Sequence, residues 1–324
     1  MKAVICPRYG PPEVLRVRDV PDPVPGDDEI LIRVRASSIN SRDWRILRAN
    51  PFIIRIALGG YLRPKQPILG ADVAGQVEAV GSDVSQFRPG DEVFGFLSGK
   101  EQGAYAEYVC ARESEITLKP ADVSFEQAAA TPLAAITALQ GLRDRGKIQP
   151  GQKVLIQGAS GGVGTFAVQI AKYFGAEVTA VCSARNVEMV RSLGADRVLD
   201  YRKEDFAQGP ARYDLILAVN GYRRLADYLR ALGPAGRLVV AGGSMRQLIE
   251  AGFRLRNAKG GGQEVSILSA GQKPADLALI TDLLAAGKIH PVIDDCYPLA
   301  ETAAAFGYYE REHPRGKVVI RVVG

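Results

Sequence analysis

The sequence predicts an α/β protein of two parts, a barrel-like β unit and a doubly wound parallel sheet inserted into it. Three observations predict this. Up to about residue 122, short strand-like runs are separated by turn signals, the pattern of a compact barrel or sandwich. From Gly151 onward, strands and helices alternate, as in a parallel sheet covered by helices. From Lys273 the chain passes through one more helix and returns to strand character, so the tail rejoins the first part. The expected division is 1–122 with 272–324, and 123–271. At 324 residues the chain is longer than one core usually organises.

The elements follow in order. Strand-like runs fall at Ala3–Cys6, Glu29–Ala36, Val73–Val80, Asp91–Phe96 and Ala106–Val109, with turns at Pro25-Gly26, Gly81-Ser82 and Pro89-Gly90. Ser124 with Gln127 forms a capping box that opens an Ala- and Leu-rich helical run. Strand Val154–Gln157 leads to helix Gly162–Phe174, and strand Glu177–Cys182 to helix Val187–Leu193. Short strands follow at Arg197–Leu199, Asp214–Val219, Arg237–Ala241 and Val265–Leu268. The tail carries a helix at Ala275–Ala286 and a strand at Gly316–Val322.

The run from Val154 to Gly164 is an apolar strand, a glycine-rich turn and the start of an apolar-periodic helix. Residues without a Cβ let backbone N–H groups approach a pyrophosphate, and the helix that begins there points its positive end at the same group. The next strand ends at Cys182-Ser183-Ala184-Arg185-Asn186. A site selective for NADH would place a carboxylate there to accept from the ribose 2′-hydroxyl. Here the first acid is Glu188, inside the following helix. Ser183 and Arg185 offer a hydroxyl and a guanidinium fork suited to a 2′-phosphate, which favours NADPH. The alternative for Arg185 is a solvated residue at a helix start.

Composition excludes several classes. Apolar residues are 47% and charged residues 24% of the chain, an ordinary globular balance that leaves no room for a disordered tract. The formal net charge of +5 is spread along the sequence without a basic, aromatic-laced block, so no nucleic-acid partner is expected. Cys6, Cys110, Cys182 and Cys296 are far apart, which argues against a disulfide scaffold or metal knuckle and for a reducing, cytoplasmic setting. The N-terminal stretch lacks the apolar core of a signal peptide, and no apolar run is long enough to span a bilayer.

The chain carries Gly70-Ala-Asp-Val-Ala-Gly75 with Val80-Gly81, Pro89-Gly-Asp-Glu-Val-Phe94 and Gly158-Ala-Ser-Gly-Gly-Val-Gly164. Gly194-Ala-Asp196, Asp200-Tyr201 and Gly316-Lys-Val-Val-Ile320 follow, in order along nearly the whole chain. These motifs resemble the medium-chain dehydrogenase/reductase superfamily, in its quinone oxidoreductase branch. The resemblance implies a GroES-like β-barrel domain and a Rossmann domain, an active site in the cleft between them, and a homodimer. It implies that Ser160, Gly161, Gly162 and Val163 cradle the pyrophosphate and that Ser183, Arg185 and Tyr201 surround the 2′-phosphate. Asn220 would meet the ribose region, Gly242 and Ile267 the nicotinamide, and Arg315 would close over the cofactor. The alternative for Arg315 is a turn residue before the last strand, and Thr131 either touches the nicotinamide or packs within a helix.

Zinc-dependent members need thiolate and imidazole ligands in the first domain. Ser38, Asn40-Ser-Arg-Asp43 and Gly70-Ala71-Asp72 stand at those places, and the two histidines, His290 and His313, lie near the C-terminus, so no metal is expected. Without a Lewis acid, conjugated acceptors such as quinones and α,β-unsaturated carbonyls are easier to reduce than simple ketones, because charge spreads to a distant oxygen. Asn40 and Asp43 are candidates to meet the substrate, or else a local helix cap. Tyr61 is a candidate proton donor, or else a packing aromatic. Residues 245–262 carry Arg246, Arg254, Arg256 and Lys259 among apolar residues, and read as a solvated helix or a weak surface-binding one. Two rivals remain: an NADP-dependent alcohol dehydrogenase, and a non-catalytic NADPH-binding interaction protein.

Overall fold

The computed structural model describes all residues except 53–54, 56–59, 62, 99–102, 211, 222, 244–249, 251–261 and 323–324. The chain forms two compact units, Met1–Leu133 with Gln272–Gly324, and Ala134–Gly271. Nearly all of the basic stretch 245–262 lies outside the described residues.

In the first unit, β1 (Lys2–Ile5) pairs with β2 (Arg16–Asp19) as a separate antiparallel ribbon. The main sheet contains β3 (Glu29–Ser38), β4 (Asp72–Val80), β5 (Glu92–Phe96), β6 (Tyr108–Arg112), β7 (Ile116–Leu118), β14 (Ile293–Pro298) and β15 (Lys317–Arg321). Its order is β14-β15-β3-β4-β5-β7, with β6 also paired to β3. Alternation explains the sheet: Ile30, Ile32 and Val34 of β3 point into the core with Val73 and Val77 of β4, Val93 of β5, and Val318 and Ile320 of β15. Each such side chain contributes about 1.5–3 kcal/mol by leaving water. Helix α1 (Ser41–Arg48) follows β3 directly and stops at Ala49, which takes the left-handed conformation at φ 48°.

Helix α2 (Phe125–Ala129) opens with the expected box: Gln127 N–H donates to Ser124 Oγ at 3.2 Å, and Ser124 N–H to Gln127 Oε1 at 3.0 Å. The sequence reading began the second part at residue 123, whereas α2 belongs to the first unit. It packs on β3 and β4, and Glu126 pairs with Arg321 of β15 at 2.9 Å. Helical periodicity marks where an element starts, not which sheet receives it. The crossing comes at Leu133, in the first turn of α3 (Pro132–Leu139).

The second unit is built on β8 (Lys153–Gln157), β9 (Glu177–Cys182), β10 (Arg197–Asp200), β11 (Tyr213–Gly221), β12 (Leu232–Gly243) and β13 (Glu264–Ile267). They form one parallel sheet in the order β10-β9-β8-β11-β12-β13. Between its strands run α4 (Gly162–Tyr173), α5 (Val187–Ser192) and α6 (Leu225–Ala231), while α7 (Pro274–Ala285) and α8 (Thr302–Glu312) belong to the first unit. From β8 the chain moves outward to β9 and β10, then crosses back to β11 on the other side. That reversal makes β8 and β11 the topological switch point, where ligands of such sheets bind. Among the described residues, no helix is long and apolar enough to cross a membrane.

Candidate active site

At the switch point, β8 runs into Gly158, whose φ of +80° is open to glycine at little cost. A Cβ on Gly158 would stand 2.4 Å from the Val219 carbonyl, and one on Gly164 would stand 2.1 Å from the Gly158 carbonyl. The two glycines therefore let the turn lie against β11 and let α4 start against the turn. Gly161 is different: it caps α4 in an extended conformation, and its missing Cβ has no neighbour nearer than the Gly158 carbonyl at 3.7 Å. It leaves open space at the start of α4, where Gly162 and Val163 present N–H groups without intrahelical partners. Such a cradle at a helix start fits a pyrophosphate.

The sheet register gathers the nucleotide candidates. Gln157 pairs with Val181, and Cys182 with Asp200, so Ser160, Ser183 and Tyr201 all follow strand ends on one edge. Ala159 N–H donates to the Val181 carbonyl at 3.1 Å, and Tyr201 N–H to the Cys182 carbonyl at 3.1 Å. Ser183 Oγ accepts from Asn186 Nδ2 at 3.2 Å, Arg185 is exposed, and the Tyr201 ring lies 5.9 Å from the Arg202 guanidinium. The residues present fit a nucleotide with a 2′-phosphate: no carboxylate closes β9, and a hydroxyl and a guanidinium follow it. On the same edge Asn220 lies near the end of β11, Gly242 near the end of β12 at φ +81°, and Ile267 closes β13.

The first unit holds a buried polar cluster. Asn40 precedes α1 and is 7% exposed. Its Nδ2 donates to Asp72 Oδ2 at 2.9 Å and to the Ser38 carbonyl at 3.3 Å, while its Oδ1 accepts from Lys317 Nζ. Asp72 Oδ2 also accepts from Ser38 Oγ at 2.6 Å and pairs with Lys317 at 3.4 Å, and Asp72 Oδ1 accepts from Leu133 N–H at 2.9 Å. Asp43 Oδ2 accepts from the Asn40 backbone N–H at 3.0 Å and from Tyr105 Oη at 3.2 Å, and its Oδ1 is buried without a partner. Burial pushes the Asp43 carboxyl up to about 6, with the Asn40 N–H opposing and the nearby Asp72 charge adding to the rise. Burial drives the Tyr105 phenol well above its usual range, and it lowers the Lys317 ammonium while Asp72 opposes that shift.

Asp43 caps α1 through the Asn40 backbone, while the Asn40 side chain turns away from the cap into the cluster. Tyr61 is 67% exposed and meets Phe52 edge-on at 6.0 Å, and among the described residues it makes no hydrogen bond to the cluster. Thr131 is buried, and its Oγ1 donates to the Gln127 carbonyl at 2.7 Å. Arg315 is exposed in the turn before β15. The sequence reading missed Lys317. It sits in an apolar run where a lysine reads as surface, and only the pairing Val319–Ser38 and Ser38–Asp72 shows that it lies inside.

A zinc ion does not fit these residues. Zinc takes thiolate, imidazole and carboxylate ligands. The cluster offers two carboxylates and no thiolate or imidazole: Asp72 is already held by four donors and Asp43 by two, beside a buried ammonium that repels a second cation. Among the described residues no group of three or more His, Cys, Asp or Glu is placed to hold a metal.

Residues 26–121 match the family model for the alcohol dehydrogenase GroES-like domain, and 193–320 that for zinc-binding dehydrogenase. The fold and these matches define a two-unit dehydrogenase/reductase. The chain is 34% identical to the chloroplastic quinone-oxidoreductase homolog of Spinacia oleracea, across 96% of this chain and 95% of that one. It is 33% identical to the chloroplastic NADPH-dependent alkenal/one oxidoreductase of Arabidopsis thaliana, across 99% and 79%. The structure of the quinone oxidoreductase from Coxiella burnetii matches with a TM-score of 0.88 at 30% identity, across 100% and 99%. The chain belongs to the medium-chain dehydrogenase/reductase superfamily, within its quinone oxidoreductase branch.

Proposed function

We propose that this protein is a zinc-independent, NADPH-dependent reductase of quinones and α,β-unsaturated carbonyls. The observation that carries the reading is the make-up of its polar cluster: the Asn40 amide, the Ser38 and Tyr105 hydroxyls, the Asp43 and Asp72 carboxylates and the Lys317 ammonium. Such groups suit an acceptor whose developing charge is delocalised, since hydrogen bonds and one fixed cation then suffice. NADPH, when bound, supplies a hydride for the acceptor's electrophilic carbon. The glycine turn at Gly158–Gly164 supports cofactor binding, and Ser183 and Arg185 support selectivity for the 2′-phosphate. The relatives named for quinones and for NADPH-dependent alkenal and enone reduction support the same substrate class. On this reading Asn40 bears on the acceptor, Asp43 holds the start of α1 in place, and Thr131 acts by packing.

The test is steady-state NADPH oxidation with 9,10-phenanthrenequinone and with an alkenal, before and after dialysis against EDTA. Turnover that survives the chelator is the expected result. Alcohol oxidation with NADP⁺ and no quinone reduction would replace this reading by the alcohol dehydrogenase. Tight NADPH binding with no turnover of any acceptor would replace it by the binding protein. We further read the molecule as a cytoplasmic homodimer. Burial raises the Cys6 and Cys182 thiols to about 11, which keeps them protonated and suits a reducing compartment. Light scattering on the purified protein checks the dimer.

A further inference from the structure

We propose that Lys317 is the positioning residue of this site, the buried cation that fixes which way the Asn40 amide faces. The claim rests on the reading of Asn40 given above. An amide side chain has two ends of nearly equal shape and opposite hydrogen-bonding character, so its orientation is set only by its partners. Lys317 has donors alone, and the Asp72 carboxylate accepts from every partner it has. Lys317 Nζ faces Oδ1 of Asn40, and Asp72 Oδ2 faces Nδ2 at 2.9 Å. Flipping the amide would set donor against donor and acceptor against acceptor, both out of reach of water.

The pair that imposes this choice is itself fixed. The Lys317 side chain is 3% exposed and that of Asp72 is fully buried. Asp72 is held by Ser38 Oγ on one oxygen and by the Leu133 N–H on the other, so the carboxylate cannot swing to follow the lysine. A buried carboxylate with a buried ammonium is tolerated only when the two stay paired and their remaining hydrogen bonds are met. The Asn40 amide meets them for both. Lys317 therefore fixes the amide's orientation and sets a positive charge beside Asn40 Oδ1, and the Nδ2 hydrogen on the longer contact, 3.3 Å to the Ser38 carbonyl, is the one that can turn to an acceptor oxygen.

The test compares wild type with Lys317→Met, Lys317→Arg and the double variant Lys317→Met/Asp72→Asn. Four quantities are measured: the melting midpoint, the NADPH dissociation constant, kcat and KM for 9,10-phenanthrenequinone, and the ¹⁵N–¹H signals of the Asn40 side chain. Lys317→Met is expected to lower kcat by roughly tenfold to a hundredfold, the cost of misplacing a positioned group by about 1 Å. KM and the NADPH dissociation constant should change by no more than about twofold, within the scatter of independent sites. The double variant should regain much of the lost melting midpoint, because no unpaired charge stays buried, without regaining kcat. Lys317→Arg should recover part of kcat. The Asn40 amide protons should be slow to exchange in wild type and fast in Lys317→Met. A purely structural lysine would instead give a double variant that regains kcat with its midpoint, and that result overturns the proposal. Wild-type kcat in folded Lys317→Met overturns it too. If wild type reduces neither quinone nor enone, the proposed function fails, and the Asn40 amide signals alone then decide the positioning claim.

Discussion

Single residues carry two further tests. Asp43 takes up a proton more readily in the folded protein than in the unfolded chain, where its ordinary value is 3.8. Its contribution to stability is therefore complete below about pH 4 and is lost as the pH rises through about 6. Asp43→Asn keeps an acceptor for Asn40 N–H and Tyr105 Oη but cannot ionise. The variant should gain on wild type between pH 4 and pH 8, by at most about 3 kcal/mol in urea unfolding; a difference that ignores pH or grows toward acid refutes the assignment. The second test concerns Arg185→Ala. It should weaken NADPH by roughly tenfold or more, the worth of a hydrogen bond to a charged group, and leave NADH nearly unchanged. Equal losses for both nucleotides, read by fluorescence titration, count against a 2′-phosphate contact. These residues were unequally legible. Ser183 and Arg185 stand at a strand end that the sequence marks by its apolar run. Lys317 did not show, because a charged residue beside buried neighbours is read as solvated until strand pairing sets β15 beside β3, with Val319 opposite Ser38 and Ser38 opposite Asp72.

At the scale of elements, the glycine turn separates packing from binding. Gly164→Ala drives a methyl to 2.1 Å from a backbone carbonyl, so α4 must shift, at a cost of about 1–3 kcal/mol. Gly161→Ala meets nothing closer than 3.7 Å and keeps an ordinary backbone. It should melt close to wild type and yet lose NADPH affinity by more than about tenfold, if a methyl in the cradle displaces a phosphate oxygen from its N–H donors. Calorimetry on both variants checks this. Unchanged binding by Gly161→Ala would remove the cradle from the nucleotide site. Most elements were legible for a plain reason. Strands buried on both faces, such as Val154–Ile156 and Leu215–Val219, read as unbroken apolar runs between turn signals. β2 and β14 were not foreseen: Arg-Val-Arg-Asp is exposed throughout, and Ile-Asp-Asp-Cys-Tyr-Pro has no apolar face to betray it. Only their partners β1 and β15 make strands of them.

For the whole molecule, the two units differ in how the chain builds them. The second is one continuous stretch, Ala134–Gly271, with every sheet partner inside it. Expressed alone, it should melt cooperatively and be stabilised by NADPH, as scanning calorimetry would show. Residues 1–133 alone lack β14 and β15, leaving one edge of β3 open over Ala36–Ser38. That fragment should aggregate; a soluble, cooperatively melting fragment 1–133 would show that β15 is dispensable to its sheet. The broad division was legible because the tail returns to strand character. The crossing point was not, because α2 looks the same whichever sheet receives it. The same interleaving bears on biosynthesis. Asp72 leaves the ribosome long before Lys317, and through the interval its carboxylate has no ammonium to lie against. A nascent chain stalled ahead of residue 317 therefore cannot close its first unit around that acid, and is expected to stay a client of chaperones until the final strand is released.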